Sequence, residues 1–90
     1  MNKTELINRA AELTGDSRAQ TQRTIEMTLS TIERALADGE SVTVPGFGSW
    51  KVRHQSGRVG KNPQTGKTIT IPPHRAARFT AGSRLKNAVR

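Results

Sequence analysis

The stretch from Trp50 to Ile71 reads WKVRHQSGRVGKNPQTGKTITI. It opens with period-two alternation, Trp50 and Val52 against Lys51 and Arg53, as in a strand with one apolar and one polar face. It closes the same way, with Ile69 and Ile71 alternating with Thr68 and Thr70. Between Gln55 and Lys67 the only aliphatic residue is Val59, and there are three glycines. Such a segment has no core of its own. It reads as a projecting β-arm that turns at Asn62-Pro63-Gln64-Thr65-Gly66. Proline presets φ for the first corner position, and glycine supplies the positive φ needed to re-enter the strand. Pro72-Pro73 ends the arm.

Outward from the arm, Val42 and Val44 alternate with Ser41 and Thr43 upstream, and Pro45-Gly46-Phe47-Gly48 is a turn carrying one large aromatic. Downstream, Ala77 and Phe79 face inward on a last strand, with Arg78 and Thr80 outward. Leu85, Ala88 and Val89 form a short helix entered at Gly82 or Ser83. Its Arg84, Lys86 and Arg90 suit a helix carboxyl end. The first 39 residues have helical periodicity instead. Asn2 and Glu5 start one helix that Gly15 ends, and Ser17 with Gln20 caps a second. Along that second helix Ile25, Leu29, Ile32 and Leu36 share one face, widened by Thr21, Thr28 and Ala35. Gly39 closes it, and the pair makes an αα-hairpin.

Leu, Ile, Val and Phe number only 17 of 90 residues, too few for an independent core in so short a chain. The patterning therefore implies a core completed by a second chain. Charge is segregated as well. Residues 1–45 carry 5 basic and 7 acidic residues, whereas residues 46–90 carry 10 basic residues and no acid. A half-molecule of this kind, with apolar residues at strand spacing among the cations, points to nucleic acid. No basic amphipathic helix points to a membrane. There is no cysteine, hence no disulfide framework and no Cys-based zinc site. The amino terminus lacks the apolar segment of a secretory signal, so an intracellular setting is expected and Asn2-Lys3-Thr4 is not read as a glycosylation site.

Gly46-Phe47-Gly48, Arg58, Gly60, Asn62-Pro63-Gln64-Thr65-Gly66-Lys67, Phe79 and Leu85-Lys86 together resemble the bacterial histone-like HU / integration host factor family, and HU more than its longer-tailed relatives. The resemblance runs from Met1 to Val89. It implies an α+β fold built as an intertwined dimer: an N-terminal αα-hairpin, a three-stranded antiparallel β saddle with a projecting two-stranded β-arm, and a short C-terminal helix. The whole of 1–90 is then one HU-like domain. Its parts are a helical dimerisation part (1–39), a β-sheet (40–81) with the arm at about 53–75, and the terminal helix (82–90). The resemblance also implies an architectural protein, nucleoid-associated in the cytoplasm, that bends duplex DNA through the minor groove and compacts and stabilises it. Trp50, Gln55, Ala77, Thr80 and Ser83 depart from the family's usual residues, which bears on saddle packing and on phosphate contacts.

The expected dimer core is Ile25, Leu29, Ile32, Leu36, Val44, Phe47, Trp50 and Phe79. Arg53, Arg58, Lys61, Asn62 and Lys67 are expected on DNA along the arm, with Pro63 wedged between base steps. Arg75, Arg78, Lys86 and Lys3 would hold flanking DNA. The expected partners are double-stranded DNA, preferred when bent, nicked or flexible, and a second copy of the chain. Pairing with a paralogue stays open. No cofactor, metal, small-molecule substrate or catalytic residue is expected. His54 and His74 have no acid near them in sequence. Gly60-x5-Gly66-Lys67-Thr68 has one residue too many for a phosphate-binding loop, and a strand rather than a helix follows it. Three rival readings differ in what they would bind. A helix-turn-helix regulator would use the Gly15 turn, but its recognition helix would carry Glu26, Glu33 and Asp38. An RNA-binding protein would hold single-stranded RNA as well as duplex DNA. A bare oligomerisation module would ignore both.

Overall fold

A computed structural model describes all 90 residues. The chain forms two compact units, Met1–Arg34 and Ala35–Arg90, with the boundary inside a helix. The first unit holds α1 (Lys3–Thr14) and most of α2 (Arg18–Ala37). The Asn2 side chain accepts from the Glu5 amide at 2.9 Å, and Ser17 Oγ accepts from the Gln20 amide at 3.2 Å, so both expected amino-terminal caps are present. Gly15 ends α1 at φ 76°, its amide donating to the Ala11 carbonyl. Ile7 is the buried apolar side chain of the chain, at 2% exposure, and the expected core did not include it. Thr21 is buried, whereas Thr28 is exposed and bonds back to the Thr24 carbonyl. The hydroxyls of Thr21, Thr24 and Thr31 donate to the carbonyl four residues earlier in the same way. This satisfies polar groups on a helix rich in weak helix formers.

In the second unit, α2 closes on a Schellman motif. Gly39 (φ 82°) donates its amide to the Leu36 carbonyl, and Glu40 donates to that of Ala35. Then come β1 (Val42–Val44), β2 (Gly48–Gln55), β3 (Arg58–Lys61), β4 (Thr68–Ile71), β5 (His74–Ala81) and α3 (Ser83–Ala88). One antiparallel sheet has the order β1-β2-β5, and β3-β4 is a separate two-stranded ribbon. The α+β class and the strand plan agree with expectation.

Register fixes the faces, because residues directly opposite in an antiparallel pair share a side. Val42 pairs with Trp50, Trp50 with Phe79 and Val52 with Ala77. These residues form the apolar face. Phe47, Trp50 and Phe79 make a three-ring cluster with centroids 4.9–6.2 Å apart. Trp50 is thereby part of the packing. Gly48 is buried, and a Cβ there would run into the Phe79 ring and lie 2.7 Å from the Thr80 carbonyl. Only glycine lets β2 pass so close to that ring. The chain then folds back on the same turn: the Gly82 amide donates to the Phe47 carbonyl at 2.7 Å, and Leu85 to that of Gly46 at 3.1 Å. These bonds seat the start of α3.

The sheet runs further toward the arm than the 53–75 boundary implies, since β2 and β5 stay paired as far as Gln55 opposite His74. Arg53 therefore sits on the sheet. The break falls at Ser56-Gly57 on one strand and Pro72-Pro73 on the other. A Cβ on Gly57 would meet the Ile71 carbonyl at 2.9 Å and Pro73 Cδ at 3.0 Å, so the strands cross closely there.

Candidate nucleic-acid interface

The face of the sheet opposite the aromatic cluster carries Ser49, Lys51, Arg53 and Gln55 from β2 and His74, Ala76, Arg78 and Thr80 from β5. Lys51 stands directly across from Arg78. Like charges in that relation destabilise a sheet, and no acid follows Glu40 to relieve them. A polyanion laid on this face would. Lys51 was not among the expected DNA contacts, although the alternation that placed Arg53 on the polar face places Lys51 there too.

Beyond the joint, the ribbon pairs Arg58 with Ile71, Val59 with Thr70, Gly60 with Ile69 and Lys61 with Thr68. Arg58 and Lys61 therefore point from opposite faces of the ribbon. At the tip, the Asn62 amide donates to the Lys67 carbonyl at 2.9 Å and the Gly66 amide to the Asn62 carbonyl at 2.8 Å. Asn62 Oδ1 accepts from the Gln64 amide at 2.9 Å, an Asx turn, and Gly66 has φ 70°. The expected Asn62-to-Gly66 turn is thus closed by its own bonds, and Asn62 uses its carboxamide oxygen to hold it. Pro63 is exposed at the outermost corner. Gly60 lies within a strand and Thr68 begins one, so this glycine pair frames a hairpin and opens no helix.

The remaining expected contacts are placed differently from one another. Arg78 is on the cationic face and Lys86 on α3. Lys3 lies 3.1 Å from Glu26 in the helical unit. Its ammonium, helped by a Gln22 hydrogen bond, holds the Glu26 carboxyl below the usual carboxylate range. Arg75 faces His54 on the apolar side of the sheet and donates to the carbonyls of Leu36 and Ala37. An open depression of about 370 Å³ at the arm root is lined by Arg53, His54, Arg58 and His74, among others. Its charged lining is cationic throughout. His54 and His74 extend from opposite faces of the paired strands β2 and β5.

The sequence matches the family described as bacterial DNA-binding protein over residues 1–90. It is 50% identical over 90 residues to DNA-binding protein HU of Buchnera aphidicola, covering all of this chain and 98% of that one. It is 44% identical to DNA-binding protein HU-alpha of Serratia marcescens, with both chains fully covered. Among solved structures, an Anabaena HU–DNA cocrystal structure superposes with a TM-score of 0.90 at 36% identity, covering 99% of this chain and 97% of that one. HU from Thermotoga maritima superposes at 0.71 with 30% identity over the full length of both. A hairpin of helices, a sheet with one aromatic and one cationic face, and a proline-tipped ribbon, matched over all 90 residues, place the chain in the bacterial DNA-binding protein family of the HU proteins.

Proposed function

We propose that this protein, as a homodimer, bends duplex DNA by passing its two ribbons into the minor groove, and so compacts and stabilises the nucleoid in the cytoplasm. A DNA-binding, architectural and non-enzymatic role is the family's. One observation carries the finer reading. None of the ten cations after Glu40 has an acidic partner, and six of them, Lys51, Arg53, Arg78, Arg58, Lys61 and Lys67, run from one sheet face along a ribbon that ends in an exposed proline. Lys51, Arg53 and Arg78 would meet phosphates on the body, and Arg58, Lys61 and Lys67 would meet them along the arm. Contacts of this kind give affinity with little sequence preference. The Pro63 ring, with no N–H left to satisfy, would part a base step at a cost of a few kcal/mol, offset by the extra surface that bent DNA covers. Nicks and flexible steps lower that cost.

The second copy is argued from surface. Leu29, Val44, Phe47 and Phe79 are 41–50% exposed in the single chain, and the three-ring cluster lies among them. Ile25, Ile32, Leu36 and Trp50 are only half-buried. Large apolar side chains left this open on each unit are characteristic of an interface. A gel-shift panel over several salt concentrations, with intact duplex, nicked duplex, single-stranded DNA and RNA, tests the reading. Nicked duplex should bind best, and binding should weaken steeply with salt. Equal affinity for single-stranded RNA, or one operator preferred about a thousandfold over random duplex, would reject it.

A further inference from the structure

Arg75 is the one cation after Glu40 whose side chain bonds to the main chain. Its Nη2 donates to the Leu36 carbonyl at 3.1 Å and to the Ala37 carbonyl at 3.0 Å. Carbonyls in the last turn of a helix lack intrahelical partners and carry the negative end of its dipole. The Schellman motif leaves Ala37 without a backbone donor and gives Leu36 only one, from Gly39. Arg75 makes no salt bridge, although Asp38 and Glu40 lie close to this helix end in the chain, so the helix end is the negative partner its guanidinium contacts. Position matters as much as chemistry. Arg75 occupies the next-to-last rung of the sheet, opposite His54, and Pro72-Pro73 and the ribbon lie just beyond. Its side chain leaves from the apolar face, away from Lys51, Arg53 and Arg78.

We propose that Arg75 is a positioning residue and not a phosphate contact: it anchors the root of the arm to the carboxyl end of α2 and so sets the direction in which the ribbon leaves the sheet. The inference rests on the DNA-bending reading for its effect on DNA, but the anchor itself can be tested without DNA. The joint at Gly57 and Pro73 has no ladder pair, so the last rungs of the sheet are the final fixed points before the arm. Loosening them changes the arm's heading without removing a charge from the cationic face.

The test uses the full-length protein with Arg75→Met, which keeps the aliphatic stem, and Arg75→Lys, which keeps a donor. In the free protein, amide hydrogen exchange at 53–55 and 74–76 should quicken by about tenfold in the Met variant. Rates at 49–51 and 78–80 should stay at the parent value. The Lys variant should recover at least half of the lost protection. Parental exchange at 53–55 in the Met variant would overturn the anchor. On DNA at saturating protein, energy transfer between end dyes should report a smaller bend for the Met variant. The slope of log K against log salt should stay within about 0.5 of the parent. A slope flatter by about 2 per dimer would make Arg75 a phosphate contact and overturn the proposal, as would an unchanged bend. A parent protein that leaves duplex straight would instead overturn the bending reading, with the exchange result standing. Arg75→Leu, which likewise removes every donor, replaces the Met variant if that chain does not fold: its exchange should quicken at the same rungs, and parental exchange would overturn the anchor.

Discussion

In the helices, Lys3 meets Glu26 at 3.1 Å, Arg18 reaches Asn8 and Gln22, and charge is settled within the chain. In the strands, Lys51 faces Arg78 across one rung, and no carboxylate stands near either. The same chain thus treats cations in two ways. Where a cation has a partner it adds little to the stability of an exposed helix pair. Where it has none, the fold carries a repulsion that only an outside polyanion removes. An unpaired cationic face therefore says more about a ligand than a count of basic residues does.

The most damaging way to break this contrast is to remove the apolar face that lies behind the cationic one. Phe47→Ala should destabilise the dimer by about 3–5 kcal/mol, as truncation of an aromatic buried by a partner chain does. Dissociation and unfolding should occur together. Light scattering that finds a folded monomer at micromolar concentration would undo the homodimer.

Next in size is the cationic face. A dimer that neutralises about 8–12 phosphates should give a slope of log K against log salt of about −7 to −11. Replacing Lys51 and Arg78 together by Gln removes four charges per dimer and should flatten that slope by about 3–4. Salt titrations of parent and variant on one random duplex measure it. An unchanged slope would take the sheet out of the interface and leave only the arm.

Pro63→Ala sharpens the contrast from the other side, because it alters no charge. The salt slope should persist, while the bend angle at saturation and the preference for nicked over intact duplex should fall. Equal bending by the Ala variant would reduce the tip to a turn.

The smallest effect belongs to the paired cation. The Glu26 carboxyl is held below its ordinary value of 4.5 by Lys3 first and then Gln22. A depressed carboxyl stabilises the fold above its unfolded value, and that contribution disappears as pH falls through the folded value. Parent and Glu26→Gln should therefore differ in urea midpoint above about pH 4.5 and converge in stronger acid. A gap that persists at pH 2 would assign the difference to something other than this pair.

Much of this was legible in the residues. Asn2, Gly15, Ser17 and Gly39 mark helix ends through local bonds, and the tip turn is written in five consecutive residues. Period-two alternation separated the faces of β2 and β5, enough to place Lys51 even though only Arg53 was selected from it. Arg75 was not legible, because its partners lie 38 and 39 residues away and no local pattern encodes that bond. Periodicity puts Ile7 with Leu6, Ala10, Ala11 and Leu13 at helical spacing on α1, but which of them is buried depends on what packs above, which periodicity does not say. Composition places the arm root near residue 53, whereas strand pairing continues through the polar residues His54 and Gln55.

The break at Ser56-Gly57 and Pro72-Pro73 has a mechanical consequence. The two prolines cannot donate to a ladder, so the ribbon beyond them is a lever hinged at an unladdered seam. From Gly57 to Gln64 it extends roughly 23 Å at ~3.3 Å per residue. On the DNA-bending proposal, duplex bent around it would recoil elastically, and that recoil would act on the tip as a torque about the seam. Stiff duplex would push the lever back, whereas nicked or kinked duplex would yield and let it seat. The seam would thereby convert local DNA stiffness into occupancy without a base having to be read.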